Sequence, residues 1–427
     1  MKIIQICGVL EGAGMTRYII ELNYGLKQAG YEVKAYECPV SKDGVDKKSG
    51  RGRQNLDDIE MLNYSPEQIA EINTADVVLF HSLLPKKTNQ EFKDLYYKFI
   101  TEDVTTKKVF FFNDNGRTTS GFSKFFGGEY LRDYKFLNSF DKIASHCQYN
   151  AYYRALTNTL GKELIDKKWV HMRLPYKFDS SIKQTWESLS EKHKRIMYMG
   201  RWHTIKYPQQ MLEMHKVMHD DFEFEMRGIE RLIGIVYIPD LFYKIDPTKQ
   251  GKDSIIGPSE ITELITPKWK KERGLDVDDL LIDYPRDGKL FVFGSYKRED
   301  GIKAVRHAAF GSDFFYLYPG ERYGDNMEYA IFEIIENGTV ALLDKYTCDF
   351  IHAYDETGRT DKTLSDYDIA VTLAHDLSNM DEVQNKMNYL YSHPEEYDAM
   401  RNRAFDVLQK HCDPKTIAEK FINDIMK

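Results

Sequence analysis

Apolar and polar positions divide the chain into short strands and longer helices in alternation. Lys2–Gly8 is an apolar, β-branched run of strand length. It passes into Gly8-Val-Leu-Glu-Gly12-Ala-Gly14, after which Thr16–Ala29 repeats its apolar residues at helical spacing. Gly30–Tyr36 begins a second strand, and strand, glycine turn, helix, glycine, strand is a βαβ unit. Further strands are expected at Val77–His81, Val109–Asn113 and Lys142–Ser145, with helical pattern at Ser65–Asn73 and Gln90–Ile100. A polar stretch, Asp179–Arg195, interrupts the rhythm, which then restarts. Strands are expected at Ile196–Met199, Phe222–Arg227, Lys289–Phe293, Phe314–Tyr318 and Val340–Leu343, with a helix over Pro208–His219. Pro239–Leu281, rich in Lys, Pro and Asp, reads as a decoration of the second half, and Asp381–Lys427 as helix. The prediction is an α/β chain of two doubly wound, Rossmann-like halves joined by a linker near 175–195.

At 427 residues the chain has room for two or three domains of about 150 residues each. Its net charge of −8 argues against a protein that coats nucleic acid wholesale. The longest apolar runs, such as Val109–Phe112 and Leu232–Ile238, fall far short of the ~20 residues of a membrane span. Met1-Lys-Ile-Ile-Gln-Ile has no secretory h-region, and the 5 cysteines contain no C-x-x-C pair, so a reducing cytosol is expected. The charge is uneven: residues 1–195 hold 30 basic against 25 acidic residues, residues 196–427 hold 29 against 42. Either the solvated surface has drifted by chance, or the first half meets a polyanion. Lys42–Arg53 reads as a basic, glycine-containing loop. Arg51, Arg53, Lys86, Lys87, Arg117 and Lys124 are the candidate phosphate contacts.

Three constellations carry candidate chemistry. Glycines in Glu11-Gly12-Ala-Gly14, between a strand and a helix, let backbone N–H groups approach an anion, though a plain tight turn has the same sequence. Met15 and Thr16 exclude the dinucleotide fingerprint. Gly200-Arg201, with Lys206 beyond it, follows the first strand of the second half, where a guanidinium and an ammonium reach one diphosphate. In Asp325–Gly338 a helix is expected from about Asn326, with Asn337-Gly338 as its C-terminal cap. Glu328 then falls in its first turn, and Glu333 lies on a largely apolar stretch where a carboxylate needs partners such as a ribose diol. Asp276-Val-Asp278-Asp279 and Asp366-Tyr-Asp368 match a metal-binding D-x-D but lie in polar stretches that read as solvated surface. His81 either lines a cleft or is a satisfied core histidine.

These residues carry a family resemblance. Phe293-Gly-Ser-Tyr296, Phe314–Gly320 and Glu333 five residues before Gly338 resemble the donor half of retaining GT-B glycosyltransferases of the glycosyltransferase-4-like group. Leu10-Glu-Gly-Ala-Gly-Met-Thr, Gly200-Arg201, Gly228-Ile-Glu-Arg231 and Glu328-Tyr329…Glu333 are similar to the α-glucosyltransferases of T-even-type phages, which glycosylate 5-hydroxymethylcytosine in duplex DNA. The resemblance implies two Rossmann-like domains facing each other across a cleft: residues 1–190, joined by the last helix, 414–427, on the acceptor (DNA) side, and 191–413 on the donor side. It implies a UDP-sugar co-substrate bound by Gly12, Gly14, Arg201, Lys206, Arg231, Tyr296, Glu328, Tyr329 and Glu333. Arg201 and Lys206 act on the leaving diphosphate, and Asp114 on the acceptor hydroxyl. Asn113 stands where much of the group has an imidazole, which leaves glucose and arabinose both open as the sugar. A monomer in the cytoplasm of an infected bacterium, free of membrane, is implied, with no resident metal and with Mg²⁺ or Mn²⁺ at most stimulatory. Transfer to a small-molecule or glycan acceptor is the alternative.

Overall fold

The computed structural model describes residues 1–8, 14–39, 59–81, 88–112, 132–146, 151–199, 209–229, 244–245, 255–256, 290–294, 298–312, 327–355, 358–374 and 376–427. The first sheet holds β1 (Lys2–Cys7), β2 (Glu32–Glu37), β3 (Ile59–Met61), β4 (Val77–His81), β5 (Lys107–Phe112), β6 (Lys142–Ser145) and β7 (Trp169–His171). All are parallel, in the order β3-β2-β1-β4-β5-β6-β7. β1 and β4 are buried along nearly their whole length, as strands covered by helices on both faces must be.

The second half repeats the design. After β8 (His193–Met199) and β9 (Glu223–Ile229), a two-stranded antiparallel pair, β10 (Lys244–Ile245) with β11 (Ile255–Ile256), stands apart. β12 (Leu290–Gly294), β13 (Ala308–Ser312) and β14 (Val340–Asp344) follow, then the antiparallel pair β15 (His352–Asp355) and β16 (Gly358–Thr363), and finally β17 (Ala370–Leu373). The parallel order β12-β9-β8-β13-β14-β17 is again third, second, first, fourth, fifth, sixth. Such a sheet reverses its winding next to its first strand, and ligands bind outside the carboxyl ends there. In this chain those points fall between β1 and β4 and between β8 and β13.

Most sequence expectations match within a few residues, and the differences have causes. β8 starts at His193 inside the stretch read as polar, because Arg195 forks onto Glu223 at 2.7 Å and Glu225 at 2.6 Å of β9. Charged side chains paired across strands mask the strand pattern. The linker contains short 3₁₀ turns, Ser180–Thr185 and Leu189–Glu191. β7 and β17, of 3 and 4 residues, were too short to show a period. The expected strand Phe314–Tyr318 lies outside the described residues.

The helix Pro414–Met426 packs on Gly14–Gln28, the helix after β1. Gly25 permits this approach, since a Cβ there would stand 2.1 Å from the carbonyl oxygen of Pro414. The first half is tied to the C-terminal helices again where Tyr176 N–H donates to Cys412 O at 2.9 Å and Phe111 meets Phe421 edge-on at 5.8 Å. One apolar core runs from Ile3, Tyr18 and Phe111 through Tyr176 and Phe178 to Ile331 and Phe332 of the second half.

The helix Tyr329–Glu336 ends on Gly338, whose φ of +74° is left-handed. A Cβ there would lie 2.4 Å from the Trp186 ring, which itself sits under the Arg401 guanidinium at 5.0 Å. Gly338→Ala is therefore expected to destabilise the chain by about 2–3 kcal/mol, combining backbone strain with overpacking. Urea denaturation checks this. A midpoint equal to wild type would show that the ring and the cap yield freely.

Candidate active site

The two halves meet over the Gly14–Gln28 helix, the Tyr329–Glu336 helix and the segment from Arg173 to Asp179 between them. This segment is gripped from both sides. Glu21, on the first helix, accepts the N–H of Lys177 at 3.0 Å and holds Arg17 Nε at 2.7 Å. Glu336, on the second, accepts the Tyr176 hydroxyl at 2.7 Å and the N–H of Asp179 at 2.9 Å. The Tyr329 hydroxyl donates to Pro175 O at 3.1 Å. Burial pushes the Glu336 carboxyl up, and the bonds from Tyr176 and Asp179 counteract this.

Arg17 lies one turn into its helix, with its guanidinium 5.3 Å from the Tyr176 ring centre. Burial works against its charge, while Glu21, Tyr176 and Glu333 favour it and win, so its affinity for the proton rises. Glu333 is thus within electrostatic reach of a cation on the opposite half. Along the Tyr329–Glu336 helix, Tyr329, Ala330 and Glu333 are half-buried while Ile331, Phe332, Ile334 and Ile335 are buried. Glu333 therefore occupies the stripe turned away from its own sheet.

The helix begins at Tyr329 rather than Asn326. Glu328 is its N-cap, not a first-turn residue, with extended backbone and no side-chain capping bond. Helix N-terminal amides left without a side-chain cap are a ready anion site.

Two histidines lie at the carboxyl edge of the first sheet. His81, ending β4, has both nitrogens engaged: Nε2 with Gln5 Oε1 at 2.9 Å and Nδ1 with the Tyr18 hydroxyl. Gln5 Nε2 donates to Asn23 Oδ1 at 3.0 Å, which turns the Gln5 oxygen toward His81 and makes Nε2 the protonated nitrogen. Burial lowers His81 to about 3. Of its two readings, the satisfied core histidine is the one observed. His146, just past β6, is likewise lowered to about 3 by burial.

Among the sequence-predicted residues, the structure brings together Glu328, Tyr329 and Glu333 on one helix, with Gly14 opening the helix that carries Arg17. Gly12, Arg51, Arg53, Lys86, Lys87, Asp114, Arg117, Lys124, Arg201, Lys206, Arg231 and Tyr296 lie outside the described residues, as does Asp276–Asp279. Arg201 is two positions beyond Met199, the end of β8. In the other D-x-D, Asp366 closes a capping box with Thr363, and Asp368 pairs with Lys386 at 2.7 Å and Arg403 at 2.9 Å. That is surface structure. Sequence reading missed Arg17, Glu21, Tyr176, Glu336 and His146. The one available signal was Glu336, placed three residues after Glu333 on an apolar helix.

Solved structures share the twin sheets. An α-glucosyltransferase in complex with UDP-glucose and DNA containing an abasic site matches over 100% of this chain and 99% of its own, with a TM-score of 0.68 and 17% identity. An α-glucosyltransferase complex with UDP and a 13-mer DNA containing an HMU base gives a TM-score of 0.73 at 16% identity, again over 100% and 99%. This is the GT-B fold. Anabaena Alr3699/HepE in complex with UDP and glucose shares it more distantly, with a TM-score of 0.54 and 9% identity over 100% and 99%. No protein-family profile and no curated protein matches the chain. No helix among the described residues is long and apolar enough to cross a membrane.

Proposed function

We propose that this chain is a retaining glycosyltransferase that moves glucose or arabinose from a UDP-sugar to 5-hydroxymethylcytosine in duplex DNA. The observation that carries the reading is the match, over the whole chain, to α-glucosyltransferase bound to UDP-glucose and DNA. The motifs that resemble the same enzymes support it independently.

In this reading UDP-sugar lies in the cleft between a donor half (191–413) and an acceptor half (1–190 with 414–427). Glu333 accepts hydrogen bonds from the ribose hydroxyls, and Tyr296 faces the uracil. Arg201 and Lys206 neutralise the diphosphate, with Arg231 assisting, while Gly12, Gly14, Glu328 and Tyr329 line the phosphates and sugar. The bond between the sugar's C1 and the β-phosphate oxygen breaks, and the hydroxymethyl oxygen of the base bonds to C1. Asp114 orients that hydroxyl and receives its proton. No resident metal is needed, because the two cations meet the charge developing on the leaving group. Mg²⁺ or Mn²⁺ enters only as a stimulant. The chain works as a monomer in the cytoplasm of an infected bacterium; the free thiols of Cys7, Cys38, Cys348 and Cys412 fit a reducing compartment.

UDP release from UDP-glucose tests the acceptor. Release stimulated by duplex DNA containing 5-hydroxymethylcytosine, and not by unmodified duplex, is expected. Stimulation by glycans or small sugars instead would replace this acceptor with the alternative one.

Binding to DNA is expected to weaken steeply with salt. The double variant Arg51→Ala/Arg53→Ala is expected to flatten the slope of log affinity against log salt by about 2, one for each lost phosphate contact. Fluorescence anisotropy from 50 to 300 mM salt (on the order of one decade) reads this. An unchanged slope would remove the two arginines from the DNA interface.

A further inference from the structure

His146 stands one residue past β6, at the carboxyl edge of the first sheet. Its ring meets Tyr18 edge-on with centroids 4.8 Å apart and leans on Phe111 at 4.8 Å. Nδ1 lies 3.1 Å from Met172 O and must therefore carry the hydrogen. In a neutral ring that leaves Nε2 as a lone pair. This nitrogen is shut off from solvent and, among the described residues, has no hydrogen-bond partner. His81, in the same layer, shows the usual outcome, with both nitrogens engaged. A fixed, dry acceptor without a donor is a standing cost. The carboxylate of Glu328, on the other half, is within electrostatic reach of the ring.

We propose that His146 Nε2 is the acceptor for a substrate hydroxyl, either one on the transferred sugar or the hydroxymethyl group of the base. The inference rests on the glycosyltransferase reading. The chemistry required is a neutral donor: phosphate oxygens at neutral pH mainly accept and are the wrong partner for a lone pair. Met172 O fixes the ring's tautomer, while Tyr18 and Phe111 fix its plane, so no rotamer search precedes binding. His146 is a positioning and binding residue here, and the leaving group remains the task of Arg201 and Lys206.

The test uses the full chain labelled with ¹⁵N-histidine. The Nε2 resonance of His146 is assigned from the spectrum of His146→Asn. The asparagine amide keeps a donor toward Met172 O but has no atom at the Nε2 position. Nε2 is expected to shift upfield as it accepts a hydrogen bond. A shift with UDP-glucose and not with UDP identifies the sugar as the source. A shift with UDP plus hydroxymethylated duplex, and not with unmodified duplex, identifies the base.

In kinetics, His146→Asn with an unchanged thermal midpoint is expected to lose about 10-fold in kcat/KM. His146→Gln, whose amide oxygen reaches the Nε2 position, is expected to recover part of that loss. A resonance that moves with UDP alone, or with none of the additions, overturns the proposal, as does wild-type kcat and KM in His146→Asn. A wild-type chain that turns over while Nε2 stays silent defeats this inference alone. A wild-type chain that releases UDP with no acceptor and transfers no sugar defeats both this inference and the reading beneath it.

Discussion

Arg201→Ala is expected to lower kcat at saturating UDP-glucose by about 10²–10³-fold, the scale of losing one preorganised donor to a developing charge. Arg201 follows β8 by two residues, and β8 and β13 flank the switch point of the second sheet. In the proposed function a diphosphate rests outside those strand ends, where Arg201 would serve it. On that reading negative charge grows on the β-phosphate as the glycosidic bond breaks, and the guanidinium is worth more in the transition state than in the ground state. The loss should therefore fall on kcat, with a smaller change in KM. Arg201→Lys keeps the charge without the planar fork and should lie between wild type and alanine. Lys206→Ala should cost less than Arg201→Ala, and the double variant less than the product of the two, if both cations serve one leaving group as proposed. Pre-steady-state measurement of the transfer step reads these values. An Arg201→Ala kcat equal to wild type would remove this residue from the site.

Acid is expected to unfold the chain early. His81 and His146 are each lowered to about 3 by burial, from an ordinary 6.5. The unfolded chain therefore binds protons that the folded chain refuses between those values. Stability is full above about pH 6.5 and is lost as pH falls from there toward 3. Each imidazole removes about 2 kcal/mol between pH 7 and pH 5 by this linkage. His411, buried beside Arg173 at 3.1 Å, is lowered well below its usual value and acts in the same direction. Glu336 opposes them: its raised carboxyl favours the proton in the folded state, so it stabilises as pH falls toward its own titration. The histidines outnumber it. Urea unfolding at pH 7, 6 and 5 should show a loss of about 4 kcal/mol or more over that range, and His146→Asn should remove about 2 kcal/mol of it. A flat profile would mean that these imidazoles accept protons without unfolding.

Much of the fold could be read from local pattern because both sheets are parallel and buried. Val77–Phe80 and Val340–Leu343 are unbroken apolar runs, and Gly30 and Gly338 punctuate the helices before strands. The start of β8 is masked in the sequence because its first residues are charged, and Arg195 joins the strand pattern only through Glu223 and Glu225 on β9. The candidate site was legible where one helix carries it, as with Glu328 and Glu333, and opaque where the contacts are long-range. Tyr176 meets Glu336 across 160 positions, and Tyr329 meets Pro175 across 154. Nothing local marks Tyr176 as different from the other tyrosines of the chain. The state of the His146 ring is hidden for the same reason: it depends on Met172, 26 residues away.

Intact-mass analysis of a synthetic duplex containing 5-hydroxymethylcytosine, after incubation with the chain and either UDP-glucose or UDP-arabinose, tests the central claim most directly. The account predicts one hexose or one pentose added per modified base, with the unmodified duplex unchanged. A duplex that gains no mass with either donor, while the same chain glycosylates a free sugar or glycan, would contradict it.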